Sequence, residues 1–107
     1  MGRFLVLWRQ NLAAPWPADP SKGLRLNEMM MAGIENLLKK GEIEEFGFFP
    51  DGMSGYGISK GEITDVYRRV SMFQPFITAE VHEIIPFQKG REISMAVMKA
   101  RIEAAEK

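Results

Sequence analysis

The run from Phe4 to Trp8 constrains the fold of this chain more than any other segment. Every residue in it is aliphatic or aromatic, and the polar residues Arg9 and Gln10 follow. This pattern predicts a β-strand over 3–10. Because successive side chains of a strand point to opposite faces, both faces of this strand are apolar, and each has to be covered.

The residues that precede Gly41 predict a long helix over 20–40. Asp19 and Pro20 form a typical helix start, an N-cap followed by proline in the first turn. Gly41 is a typical helix stop. Between these ends, apolar residues recur at helical spacing at Leu26, Met30, Ile34, Leu37 and Leu38.

The rest of the chain predicts shorter strands and two further helices. Pro50-Asp51-Gly52 supplies a turn between two strands, and Pro86 ends a later one. The elements predicted in chain order are strands over 43–49 and 55–59, a helix over 62–72, a strand over 77–85 and a helix over 91–106.

Three of these elements have predicted apolar faces. The second strand places Phe46 and Phe48 on one side and Ile43 and Phe49 on the other. The second helix has an apolar stripe at Ile63, Val66, Tyr67 and Val70, and the third has a narrower one at Ile93, Val97, Ala100 and Ala104.

The order β-α-β-β-α-β predicts a ferredoxin-like α+β fold, with an antiparallel sheet and both main helices on one face. Residues 1–88 form this domain, and residues 89–107 form a C-terminal helical extension. Leaving the other sheet face in water forfeits several kcal/mol, at about 25 cal/mol per Å² of apolar area. We therefore expect a homodimer or a larger even homo-oligomer that covers this face, with the thinly striped third helix docked across the subunit interface.

Several segments also carry a family resemblance: the apolar first strand, Asp19-Pro20, the helix end Leu37-Leu38-Lys39-Lys40-Gly41, and Met72-Phe73-Gln74-Pro75-Phe76 leading into Ile77-Thr78-Ala79-Glu80-Val81. Through them the chain resembles the dimeric α+β barrel proteins, and within these most resembles the muconolactone isomerase family. The resemblance implies sheet-to-sheet dimers with a small-ligand pocket beside the sheet. It also implies either a double-bond shift in a lactone or cofactor-independent oxygenation of aromatics. The loop around Trp16 and the C-terminal helix depart from the isomerase pattern.

The composition argues against several classes of protein. Fourteen basic residues balance fourteen acidic ones, whereas a nucleic-acid-binding protein usually carries a basic excess. The chain has no cysteine and one histidine, so we expect no metal site, haem or other cofactor. No stretch approaches the length of a membrane span, and the apolar run near the N-terminus is too short for a signal peptide. We expect a cytoplasmic protein without a membrane partner.

His82 is the leading candidate for acid-base catalysis, because histidine is the side chain that titrates near neutral pH. On an extended strand it shares a face with Glu80, whose carboxylate would orient the imidazole for proton transfer. The alternative interpretation is that Glu80, His82 and Glu83 keep an edge strand from pairing with other chains.

Arg9, Trp16 and Tyr56 are the candidate ligand-binding residues. Arg9 ends the first strand near the loop that bears Trp16, and its planar guanidinium suits a ligand carboxylate. A solvated strand end is the alternative. Tyr56 lies between Gly55 and Gly57, which leave space beside the strand either for a ligand or for an aromatic side chain packed on bare backbone.

Two classes of function fit these features. The first is a small-ligand-binding protein with a pocket between helices and sheet. Its chemistry would be an isomerase-like proton shift in a small lactone or aromatic-derived acid, or cofactor-independent monooxygenation. The second is a noncatalytic oligomeric assembly module. A cavity of a few hundred Å³ with convergent polar groups would favour the first class, and a solidly packed interface the second.

Overall fold

The computed structural model describes residues 1–106 and shows a ferredoxin-like α+β fold with an added C-terminal helix, as the sequence predicts. Its elements are β1 (Gly2–Gln10), α1 (Pro20–Lys39), β2 (Ile43–Phe48), β3 (Ser54–Gly61), α2 (Ile63–Ser71), β4 (Ile77–Glu83) and α3 (Phe87–Ala105). The four strands form one antiparallel sheet in the order β2-β3-β1-β4. β1 is therefore a central strand, with apolar residues on both faces.

The ends of α1 follow the chemistry seen in the sequence. The Oδ1 atom of Asp19 accepts a hydrogen bond from the backbone N–H of Ser21 at 2.9 Å, and Pro20 occupies the first turn. Gly41 follows the helix with a φ of 72°, in the left-handed region that glycine adopts most easily. Both predicted ends are confirmed to within one residue.

The side chains of β1 alternate between the two faces of the sheet. Val6 and Trp8 lie beneath α1 and α2, whereas Leu5 and Leu7 point to the face that carries no helix, here termed the open face. Its centre is apolar and its edges are polar. The rows across it are His82–Leu5–Ile58–Glu45 and Glu80–Leu7–Tyr56–Gly47.

A β-bulge in β2 corrects one sequence prediction. The pairing register shifts between Ile43 and Glu45, so that Glu44 lies opposite no residue of β3. The extra residue reverses the alternation of side chains, and Ile43 lies with Phe46 beneath the helices. The prediction that Ile43 shares a face with Phe49 was therefore wrong.

The helix α2 presents a different face to the sheet from the predicted one. Val66 is fully buried and Arg69 is only 8% exposed, but Ile63 and Tyr67 are 56% and 76% exposed. Hydrogen bonds from Arg69 to β3 hold this rotation, because they compensate for burying a charged side chain. The predicted stripe was right at Val66 and wrong at Ile63 and Tyr67.

The helix α3 begins at Phe87, four positions before the predicted start. It packs against no other helix or strand of the described chain, and nearly all of its residues are exposed. The molecule is 71 Å long, and its radius of gyration is 19.2 Å, against about 13 Å for a compact domain of this length. The helix therefore extends away from the α+β body.

Within residues 1–106, no helix combines the length and the apolar character that crossing a bilayer requires.

Candidate functional site

A cavity of about 220 Å³ lies between the two main helices and the sheet. Three aromatic rings form a cluster on its sheet side. Trp8 stacks on Phe46 with ring centres 5.4 Å apart, and Phe48 stands edge-on to both rings. Such a wall suits a flat apolar molecule, because offset-stacked and edge-on contacts are the favoured arrangements of aromatic rings.

Bare backbone on β3 makes room for this cluster. A Cβ atom on Gly55 would lie 2.5 Å from Cζ2 of Trp8 and 2.1 Å from the carbonyl oxygen of Gly47. Only glycine allows the indole to lie so close to the strand. Of the two interpretations of the glycines around Tyr56, the packing of an aromatic side chain on bare backbone is therefore the one observed at Gly55.

The helix α1 forms the opposite wall and leaves the space beside it unfilled. Its backbone approaches the sheet only along β2. Met30, Met31 and Ile34 face the cavity, and the ring of Phe73 lies 3.5 Å from the position of a Cβ atom on Gly33. Flexible methionine side chains adapt to ligands of different shape. The interface between helices and sheet is thus not solidly packed.

Arg69 is the only charged side chain that lines the cavity in the described chain. Its Nη1 donates to Ser59 Oγ at 2.7 Å and to the carbonyl oxygen of Lys60 at 2.5 Å. Its Nη2 donates to Glu42 at 3.3 Å, and the same Glu42 oxygen accepts from Arg68 at 3.1 Å. The hydrogen bond from Arg68, together with that from Arg69, holds the pKa of Glu42 below its usual value.

Two of the residues that line the cavity have a buried donor without a hydrogen-bond partner in the described chain, Nε1 of Trp8 and Nε of Arg69. Both side chains are more than nine-tenths buried. A buried donor without an acceptor costs about 1–3 kcal/mol. Both residues line the cavity, and the described chain supplies neither donor with an acceptor.

The predicted catalytic pair lies on the open face, across the sheet from the cavity. Nε2 of His82 is 3.4 Å from Oε2 of Glu80, so the structure brings the pair together. Both side chains are more than half exposed. Tyr56 lies on the same face, where its hydroxyl contacts Glu45 and its ring stacks on Phe49 at 6.0 Å. The hydrogen bond to Glu45 raises the pKa of the Tyr56 phenol.

The predicted ligand-binding residues Arg9 and Trp16 also lie outside the cavity. Arg9 is mainly exposed on the open face, with Nη2 3.9 Å from an oxygen of Asp51. With Glu80 it borders a shallow depression on that face. Nε1 of Trp16 donates to the carbonyl oxygen of Asn11 at 2.7 Å, and its ring packs on Phe76. Trp16 thus secures its loop against the segment before β4.

Sequence reasoning missed the polar residues of the cavity: Gln10, Asn27, Ser59 and Arg69. The signal for Arg69 was present, since an arginine three positions after Val66 falls on the helix face that Val66 occupies. Among the described lining residues, none is a histidine, carboxylate, lysine or tyrosine. Within residues 1–106, no three histidine, cysteine, aspartate or glutamate side chains are grouped as metal ligands.

No family model matches the sequence, and no curated protein is significantly similar to it. The chemistry of the site therefore has to be inferred from its own geometry.

Proposed function

We propose that this protein binds a small, predominantly apolar molecule in the cavity between helices and sheet. The aromatic cluster of Trp8, Phe46 and Phe48 on one wall of an unfilled space of about 220 Å³ is the observation that supports this most directly. Ligand sites are usually apolar concavities with few polar groups, and Arg69 and Ser59 are such groups here.

Binding fits this cavity better than the isomerase-like proton shift. A proton shift needs a general acid or base within hydrogen-bond reach of the substrate. The cavity is lined by no side chain that titrates near neutral pH in the described chain. His82 and Glu80 would serve only a substrate that binds on the open face. Isomerase and monooxygenase activity are the alternatives to binding alone.

The first test is titration calorimetry with two flat probes of nearly equal shape, 2-naphthoic acid and its amide, 2-naphthamide. We expect at least one to bind with a single site per chain. Val6→Phe should weaken binding about tenfold or more, because the added ring fills the cavity.

Leu5→Phe is the matched control, since Leu5 directly precedes Val6 in β1 and points to the open face. It should leave binding unchanged, as should His82→Gln. If neither probe binds the wild-type protein, or if Leu5→Phe weakens binding as much as Val6→Phe, the proposal is wrong.

A second candidate function, homodimeric assembly, is supported by α3. Its exposed apolar residues include Ile93, Val97, Met98 and Ile102, and no other helix or strand of the described chain packs on it. Leu5, Leu7 and Ile58 add an apolar centre on the open face. We propose that a second copy covers these surfaces, as in a dimeric α+β barrel, and that the protein acts in the cytoplasm.

A further inference from the structure

The guanidinium of Arg69 makes two hydrogen bonds through Nη1, whereas its Nε and Nη2 atoms together make only one. Nη1 donates to two oxygens of β3, from Ser59 and Lys60. Nε has no acceptor, and Nη2 makes only the 3.3 Å bond to Glu42. The Nε and Nη2 hydrogens point along one edge of the guanidinium plane, the edge that accepts a carboxylate through two parallel bonds.

Arg3 shows what this edge does when a carboxylate fills it. Nε of Arg3 donates to Glu44 at 3.1 Å, and Nη2 donates to the same carboxylate at 2.8 Å. Arg69 has no such partner, because Glu42 divides its one engaged oxygen between Arg68 and Arg69. Two arginines thus share one carboxylate, and one positive charge among the three groups is uncompensated.

The rest of the cavity runs away from this charge as an apolar trough. Ser59, beside Arg69, pairs across the sheet with Phe4, and Gln10 lies at the far end of the cavity wall. These two positions of β1 are about 20 Å apart along an extended strand. Between them the wall is Val6, Trp8 and the phenylalanines of β2. A ligand that fits has one anionic end and an apolar body.

We infer that the ligand is an apolar carboxylic acid whose carboxylate binds the Nε–Nη2 edge of Arg69. The inference rests on the proposed function, since it names the ligand class of the same cavity. The carboxylate displaces Glu42 from Nη2, and Glu42 retains Arg68 as its partner. No bond is made or broken in this step, and the ligand enters already ionised at neutral pH.

The test compares the affinities of 2-naphthoic acid and 2-naphthamide by titration calorimetry at pH 7. The wild-type protein should bind the acid at least about tenfold more tightly, because hydrogen bonds between charged partners are about twice as strong as neutral ones. Arg69→Gln should abolish this preference and leave amide binding in place. Arg25→Gln is the matched control, because it removes the same charge from an exposed position of α1 that does not line the cavity, and it should keep the preference.

Glu42→Gln gives a second readout that does not depend on the stability of the Arg69 variant. Removing the competing carboxylate should tighten binding of the acid several-fold and leave the amide unchanged. If acid and amide bind wild-type protein equally, or if Glu42→Gln does not tighten acid binding, the inference is wrong and the proposed function stands. If neither probe binds, the proposed function itself fails.

Discussion

Carboxylates held by arginines recur at the residue scale, and they make the stability of the fold depend on pH. Hydrogen bonds from Arg68 and Arg3 lower the pKa values of Glu42 and Glu44. The backbone N–H of Met53 is the main cause of the lowered pKa of Asp51. In the unfolded chain all three groups regain their ordinary values.

We expect the free energy of unfolding to fall in acid. A carboxylate with a depressed folded-state pKa stabilises the fold fully above its unfolded value, about 4. This stabilisation is lost as the pH falls through the lowered folded-state pKa. Urea denaturation at pH 7, 5 and 3 should show a plateau followed by a loss of stability.

Glu44→Gln should reduce this pH dependence in part, because the variant lacks one of the three carboxylates whose pKa is lowered in the fold. Glu103→Gln, on the isolated helix α3, is the control and should leave the profile unchanged. Stability that is equal at pH 7 and pH 3 in the wild-type protein would contradict this assignment.

Arg69 shows why the candidate site was harder to predict than the fold. Sequence patterns assign charged residues to solvent, and no pattern shows that Ser59 and the Lys60 carbonyl lie where a buried arginine can donate to them. Those acceptors come from β3, so the pairing is a property of the assembled fold. His82 and Glu80 were correctly placed together, since strand alternation alone fixes their common face.

In the helix α1, local chemistry determines where the element begins and ends, but one interior residue is not the best helix former for its position. Asp19, Pro20 and Gly41 fix its ends, and all three are legible in the sequence. The bulge at Glu44 cannot be seen in the sequence, because the hydrophobic pattern of β2 is equally compatible with a strand of regular alternation. Inside the helix, Gly23 has no atom within 4 Å of where a Cβ would lie.

Gly23→Ala should therefore raise the free energy of unfolding by up to about 1 kcal/mol, since alanine forms helix better and meets no obstruction. Gly41→Ala is the matched variant, with equally open surroundings but a φ of 72°. It should destabilise the protein by about 1 kcal/mol, because a side chain is strained in that conformation. Thermal or urea denaturation would distinguish the two, and a loss of stability in Gly23→Ala would contradict the prediction.

At the scale of the whole molecule, the helix α3 and the α+β body formed by the other elements do not stabilise each other by packing. The helix spans about 28 Å at 1.5 Å per residue and packs on no helix or strand of its own domain. Such a helix of mixed composition gains little stability from local interactions alone. A partner surface would supply the packing contacts that α3 lacks within its own chain.

Truncation after Pro86 should weaken the oligomer and leave the body folded. Sedimentation velocity at micromolar concentrations should show the full chain as a dimer or a larger even assembly, and the truncated chain shifted toward monomer. The thermal midpoint of the isolated monomer should change little, because α3 packs on no element of the body. Identical sedimentation of the two chains would show that α3 takes no part in assembly.

The position of Trp8 gives the molecule a built-in optical reporter. The chain has two tryptophans, and they occupy different environments. Trp8 stacks on Phe46 inside the cavity, and Trp16 packs on Phe76 in the loop before α1. Replacing Trp16 with phenylalanine leaves a single indole, whose emission reports directly on whatever occupies the space beside it. Filling and emptying of the cavity become visible in real time, without an attached dye, whether or not a reaction follows.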